Sequence, residues 1–510
     1  MNTHVPADRI RESNDAPLQE QGSHVLYWMV SARRTRDNFA LQRALRWASD
    51  LGKPLIVFEA VRCDYRWASD RLHSFILNGM RDNAHTFAEY GIRYIPYVEP
   101  APKAGQGALR ALTKQAAIVV TDEFPCFFIP GMVNAVSRTL PVRVEVVDST
   151  GVLPLASSPR VFTTAASFRR HAQKILLRHL SEMPEEQPLD SMTYQGLAPV
   201  PDDYTDRWYQ GDGTQGHESI AQRIGRLPID HSVESVGQQG GEVDAQRRAT
   251  QFVSQGLRQY HEDRNRPDRQ GTSRLSAHLH FGHVSSHTLV RGILETESWR
   301  PSHTPERATG SRAGWWGLSE CAEAFLDQII TWRELGYTFC HHRPHDYDQL
   351  ESLPEWAQTT LNLHAQDERP YVYSLDQLER AHTHDPIWNA AQRQLLGEGY
   401  IHNYLRMLWG KKILEWSKTP HDALRVLIEL NNKYALDGRN PNSWSGIFWT
   451  LGRFDRAWGP ERKIFGKIRY MSSDNTARKL KLKEYLNRWS GVQLSSPTQT
   501  DLPLQSLPTL

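Results

Sequence analysis

The feature that most restricts how this chain can fold is a change of hydrophobic period near its middle. Between residues 24 and 150, apolar runs of strand length alternate with stretches of helical spacing. Strands are expected at 24–30, 54–60, 92–98, 117–121 and 142–148, with helices across 37–51 and 74–90. That order predicts a doubly wound α/β domain with a mainly parallel sheet, because a parallel pair needs a helical crossover. No GxGxxG follows the first strand, so a dinucleotide fingerprint is absent. From Glu242 almost to Trp489 the 3.6-residue period takes over, as at 322–339, 389–397, 401–416 and 422–434, and a large all-α domain is expected. The intervening stretch is rich in Pro, Gly, Asp and Gln. The expected layout is a disordered N-terminus (1–22), an α/β domain (23–180), a linker (181–241), a helical domain (242–490) and a disordered tail (491–510).

Composition narrows the class. Hydrophobic residues are 39% and charged residues 23%, an ordinary globular balance. The longest apolar runs fall well short of a membrane span, and the first residues lack the apolar core of a signal peptide, so a cytoplasmic protein without a membrane partner is expected. Cys63, Cys126, Cys321 and Cys340 form no CxxC pair, which argues against a zinc ribbon or redox motif; no metal is expected. A net charge of +2 says little, but 451–490 holds eleven Lys/Arg against four Asp/Glu. Arg453, Arg462, Lys467 and Arg469 are candidate phosphate contacts, although a solvated basic face reads the same way. No protein partner is implied, and a monomer is expected. Of the sixteen tryptophans most lie after residue 300; core packing is the ordinary account of any one of them.

Four clusters in the helical half carry chemistry. Tyr260 is followed by Gly271-Thr-Ser-Arg-Leu-Ser276, a helix start whose free N–H groups and hydroxyls suit a diphosphate and equally suit a plain N-cap. In the run from Asp327 to Leu335, Arg333 lies on an otherwise apolar helix and should face an anion or solvent. Asn403, Arg406 and Met407 share a helix face. Trp388 stands 21 residues before Trp409, which stands seven before Trp416. A turn-rich segment runs from Asp437 to Asn442, between Asn431 and the Trp444, Trp449 and Trp458 group.

Together these clusters resemble the photolyase/cryptochrome family, with the tryptophan spacing and the Asp437 block closest to class II photolyases of cyclobutane pyrimidine dimers. The resemblance implies FAD as cofactor, held by Tyr260, Thr272, Ser273, Arg274, Leu275, Ser276, Arg333, Asn403, Arg406, Asn431 and Asp437. It implies light-driven electron transfer to a flipped-out lesion in damaged DNA. It makes Trp409, Trp388 and Trp416 an electron chain, with Trp409 nearest the flavin and Trp416 outermost. Asn431 would lie against flavin N5, and Asp437 would pair with Arg406. Gln328, Trp332, Asn403, Met407 and Trp449, with Trp458, would meet the lesion. A second antenna chromophore, a deazaflavin or none, belongs to the α/β half.

The chain departs from the pattern twice. Ala277 stands where the family has Pro, and Gln328 where class II has Glu. Asp327 is adjacent, but on an α-helix it would sit ~100° around from Gln328 and face elsewhere. A (6-4) photolyase would have histidines at Asn403 and Met407. A cryptochrome photosensor, or a light-independent flavoprotein or DNA-binding protein, are the other readings.

Overall fold

The computed structural model describes residues 4–211 and 218–491. A six-stranded sheet is built from β1 (Ile10–Glu12), β2 (His24–Met29), β3 (Leu55–Val61), β4 (Arg93–Val98), β5 (Ala116–Asp122) and β6 (Val144–Val147). Its order is β1-β6-β5-β2-β3-β4, and every pairing is parallel except β1 with β6. β2, β5 and β6 are buried along their whole length, which explains why apolar residues on them fall next to one another rather than alternating with polar ones. Pro96 is tolerated because β4 is an edge strand. The expected α/β class is what the chain adopts, followed by a large helical body. No helix among the described residues is long and apolar enough to cross a membrane.

Two expected boundaries need correction. Residues 4–22 are not disordered: Arg9 is buried and donates to the carbonyls of Asp148, Gly151 and Val152 (2.6–3.1 Å), which pins β1 onto β6. The α/β unit also ends earlier than residue 180. Phe162, Phe168, Ala172 and Leu176, the last three on helix Ala165–Ser181, pack into the core of the helical body. The 181–241 connection contains helices Asp202–Trp208 and Ile220–Ile224. Residues 492–510, most of the expected tail, lie outside the described part.

The usual ligand crevice of a doubly wound sheet lies beyond the strand ends where the order reverses, here β2 and β5. In this chain it is filled. The Asp122 carboxylate accepts from the N–H groups of Val30, Ser31 and Ala32 at 2.8–3.0 Å. Gly282 of the helical half, at φ +76°, packs against the Ser31 carbonyl so closely that a β-carbon would collide with it. Further polar pins join the halves. Glu242 accepts from Thr35, and Arg291 pairs with Asp37. Arg71 donates to the carbonyls of Leu395, Leu396 and Tyr434, closing two helix C-termini.

Glu334 belongs to the same interface. It is fully buried and accepts from the N–H groups of Val152 and Leu153. Burial pushes its carboxyl up to about 8, against the opposing pull of Arg333 and Arg9. A folded pKa above the unfolded one means that ionisation costs stability as pH rises from near 4.5 through about 8. Glu334→Gln keeps the accepting oxygen and removes the charge. It should melt several degrees above the parent at about pH 8 and match it near pH 5, as followed by thermal denaturation at both.

Candidate functional site

The helical body surrounds a cavity of about 550 Å³, a size typical of cofactor sites. One wall is the 271–276 loop. Thr272, Ser273 and Ser276 face the cavity together with Tyr260, whose ring packs edge-on to Phe325. Two neighbours expected there do not line it. Arg274, at φ +56°, turns away to pair with Glu398 (3.0 Å) and stack on Tyr400 (3.9 Å). Leu275 is fully buried in the core. Both brace the loop from behind.

The opposite wall is the helix around residue 330, where the chain departs from α geometry. Asp327–Trp332 is a π-helical segment, a form that concentrates at functional sites. The wider turn brings both Asp327 and Gln328 to the cavity wall, which corrects the α-helical expectation that Asp327 would face elsewhere. The two are still distinct. Asp327 is gripped by Arg169 through two bonds (2.7 and 3.2 Å), whereas the Gln328 side chain is left for the cavity. Arg169, from helix Ala165–Ser181, gave no signal in the sequence, because its partner is 158 residues away. Arg333 is buried beside the Tyr337 ring at 4.2 Å, and its Nη1 has no partner among the described residues.

Asn403, Arg406 and Met407 line the cavity as a single face of helix Asn403–Trp416. Arg406 bonds both oxygens of Asp437 (3.0 and 3.2 Å) and also donates to Asn431 Oδ1. The Asn431 amide donates to Asn432 and Ser443, which fixes its orientation at the cavity wall. Burial pushes the Asp437 carboxyl up, but Arg406, joined by Ser276, outweighs this and holds it below its ordinary value.

Trp409 reaches the cavity, and its indole N–H donates to Gln392 (2.9 Å). Trp388 lies parallel to it at 6.3 Å between ring centres, and Trp416 follows at 5.5 Å from Trp388. Trp416 is only 1% exposed, so the three indoles alone do not reach solvent. Tyr373 and His384 pack against Trp416 at 5.3 and 5.4 Å, and exposed Tyr371 stacks on His384 at 3.9 Å. The sequence reading missed this outer segment.

No protein-family model matches the chain. It is 34% identical over 489 residues to a deoxyribodipyrimidine photo-lyase of Methanothermobacter thermautotrophicus, spanning 96% of this chain and 99% of that protein. It is 34% identical to the enzyme of that name from Potorous tridactylus, over 93% and 82% of the two chains. The chain belongs to the photolyase/cryptochrome family. Two solved structures share the fold: a class III photolyase from Agrobacterium tumefaciens (TM-score 0.61, 16% identity, 92% and 86% covered) and a Synechocystis cryptochrome (TM-score 0.64, 14% identity, 95% and 89% covered).

The cavity fits the family's flavin. The unpartnered Arg333 nitrogen, the hydroxyls of Thr272, Ser273 and Ser276, the Arg406–Asp437 ion pair and the Asn431 amide supply cationic, hydroxyl, carboxylate and amide partners in the mixture a dinucleotide requires. At the mouth, Trp332 and Trp449 line the cavity and Trp458 does not; it stacks on Arg469 at 4.0 Å and bonds Asp455. Arg462 and Lys467 are exposed, and Arg469 is tied to Asp455. Arg453 is not a surface cation: it is buried over the Phe339 ring at 4.4 Å, and burial pushes it down to about 10.

Asp437→Asn should cost about 1–3 kcal/mol of stability, because Arg406, half-buried at the cavity wall and still bonded to Asn431, loses its counter-charge. Urea denaturation of the purified variant checks the magnitude, and FAD retention on gel filtration should fall in parallel.

Proposed function

We propose that this protein repairs cyclobutane pyrimidine dimers in DNA by light-driven electron transfer, as a class II photolyase with FAD in the 550 Å³ cavity. The observation that carries the reading is one cavity with an unpartnered buried arginine on its wall, an indole stack on one side and two indoles at its mouth. Arg333 and the 272–276 hydroxyls would hold the diphosphate, and Arg406, Asn431 and Asp437 the isoalloxazine side. FAD, bound reduced and excited by near-UV or blue light, would lend the electron that opens the cyclobutane ring and take it back once the ring has split, so that no net oxidation occurs.

The chain's own residues do the rest. Arg462, Lys467 and Arg469 supply cations to DNA phosphates, the contacts that dominate affinity. The lesion reaches such a cavity only when flipped out of the duplex, and photolyases are among the standard examples of flipping. Trp332 and Trp449 clasp it, each stack contributing ~1–3 kcal/mol. The Gln328 amide donates a hydrogen bond to a dimer carbonyl but has no acidic proton to transfer. The Trp409–Trp388–Trp416 stack, extended by Tyr373 and His384, connects cavity to solvent in short steps. A monomer acting in the cytoplasm remains part of the proposal. A deazaflavin antenna, if one is bound, would occupy the open notch of about 340 Å³ between Trp67 and Lys433. Mass spectrometry of chromophores extracted from the native host decides between it and none.

The direct test is illumination of purified, flavin-reduced protein with dimer-containing oligonucleotides. Loss of dimers under blue light and none in the dark is expected. FAD binding without repair would favour the photosensor reading, and repair of (6-4) products alone the other enzyme class.

Two sets of variants resolve the parts. Trp409→Phe and Trp388→Phe should each slow bleaching of the yellow protein under blue light and thiol at least tenfold, while chemically reduced variants still repair; stopped-flow absorbance measures the first. Gln328→Glu should equal or exceed the parent in dimers repaired per photon, and Gln328→Ala should fall below it. Asp327→Asn should lower the melting temperature by freeing Arg169, with repair per photon little changed.

A further inference from the structure

Helix Asn403–Trp416 carries a lysine that the repair scheme leaves unused. Lys411 is fully buried; its Nζ donates to the Thr450 carbonyl at 2.6 Å and lies 4.9 Å from the centre of the Trp449 ring. The close helix approach depends on Gly410, where a β-carbon would come within 2.6 Å of Thr450 Cγ2. Trp449 and Thr450 both line the cavity, so the lysine sits behind its mouth.

Among the described residues no carboxylate bonds this ammonium. Two charged groups act on it from the segment after helix Pro441–Thr450: Asp455, which favours the charge, and Arg469, which opposes it. Asp455 is already taken up by Nε and Nη2 of Arg469 (2.7 and 3.0 Å) and by the Trp458 indole. Charges on the flanking helices are committed elsewhere. Arg406 is paired with Asp437, Lys412 with Glu415, Lys433 with Glu379 and Glu429 with Arg66. Burial pushes Lys411 down to about 7, so the free protein holds its proton only in part at neutral pH.

We propose that Lys411 is a positioning residue of the lesion clasp, steadying Trp449 through its indole face and the Thr450 carbonyl, and that nucleic acid seated on the rim draws a proton onto it. Phosphates beside Arg469 add the negative potential that the buried ammonium lacks, and they free Asp455 to face it. Proton uptake on binding means that affinity falls as pH rises through the neutral range. This inference rests on the DNA-repair reading.

The test is dark binding of a labelled, dimer-containing duplex to flavin-loaded protein by fluorescence anisotropy, between about pH 6.5 and about pH 8.5. The parent should lose roughly tenfold in affinity across that range. Lys411→Met should bind weakly with a flat profile, yet melt above the parent at neutral pH, because an uncompensated buried charge has gone. Lys411→Arg, charged throughout, should keep tight binding to the alkaline end. A parent with no pH dependence, or a Lys411→Met variant that keeps the parent's slope, overturns the proposal. Failure of every form to bind dimer-containing DNA at any pH would overturn the repair reading itself.

Discussion

Helix Asn403–Trp416 has almost no solvent face: Leu405, Leu408 to Leu414 and Trp416 are all buried. A helix surrounded in this way cannot be amphipathic, and its sequence mixes Lys, Trp and Leu without a polar stripe. The surrounding structure is ordered by it. One face presents Asn403, Arg406 and Met407 to the cavity, the next turn presents Trp409, and Trp416 ends the indole stack. Arg406–Asp437, the Trp409 bond to Gln392 and the Trp388 bond to the Trp409 carbonyl fix its rotation. A slip of one residue turns an α-helix by ~100°, so it would take cavity, stack and ion pair apart together. The functional positions are therefore coupled through one rigid element.

Around that helix the protein keeps charges where an apolar core would be more stable. Arg333 has a nitrogen with no partner among the described residues, and Lys411 bonds a single carbonyl. Perturbed groups of this kind gather at functional sites, because the field they create serves a ligand absent from the free chain. Their cost is recovered when a polar ligand fills the cavity, since anything that binds only the folded state stabilises it. The free protein should accordingly gain more from its cofactor than its packing suggests.

Much of this was legible in the amino-acid order. Apolar strand-length runs gave β2 to β6 to within a residue or two, because fully buried parallel strands have no polar alternation to obscure them. The Asn403, Arg406 and Met407 face followed from helical spacing alone. What was not legible depends on distant partners. β1 is three residues of mixed polarity, ordered through buried Arg9. Helix Ala165–Ser181 looks like a continuation of the α/β unit, yet it belongs to the other core. The π-helical segment has no signature in composition; it shows itself in Arg169 gripping Asp327. Arg453 was misread because one arginine in a basic run can lie on Phe339 as easily as in water.

The two halves divide the work in an unusual way for a doubly wound sheet. Such sheets ordinarily bind their ligand where the strand order reverses. Here Asp122 caps the N–H groups an anion would use, and the 278–286 segment lies across the opening, with Gly282 admitting no side chain. The crevice has become a domain interface, and the cavity has moved into the helical body. Fold class alone would therefore point to the wrong end of the molecule. The α/β half instead acts as an anvil: contacts through Arg71 and Glu334 hold the ends of the helices that carry Asn431, Gln392 and Arg333. The positions of those three side chains, and so the shape of the cavity, are set partly from outside the domain that contains it.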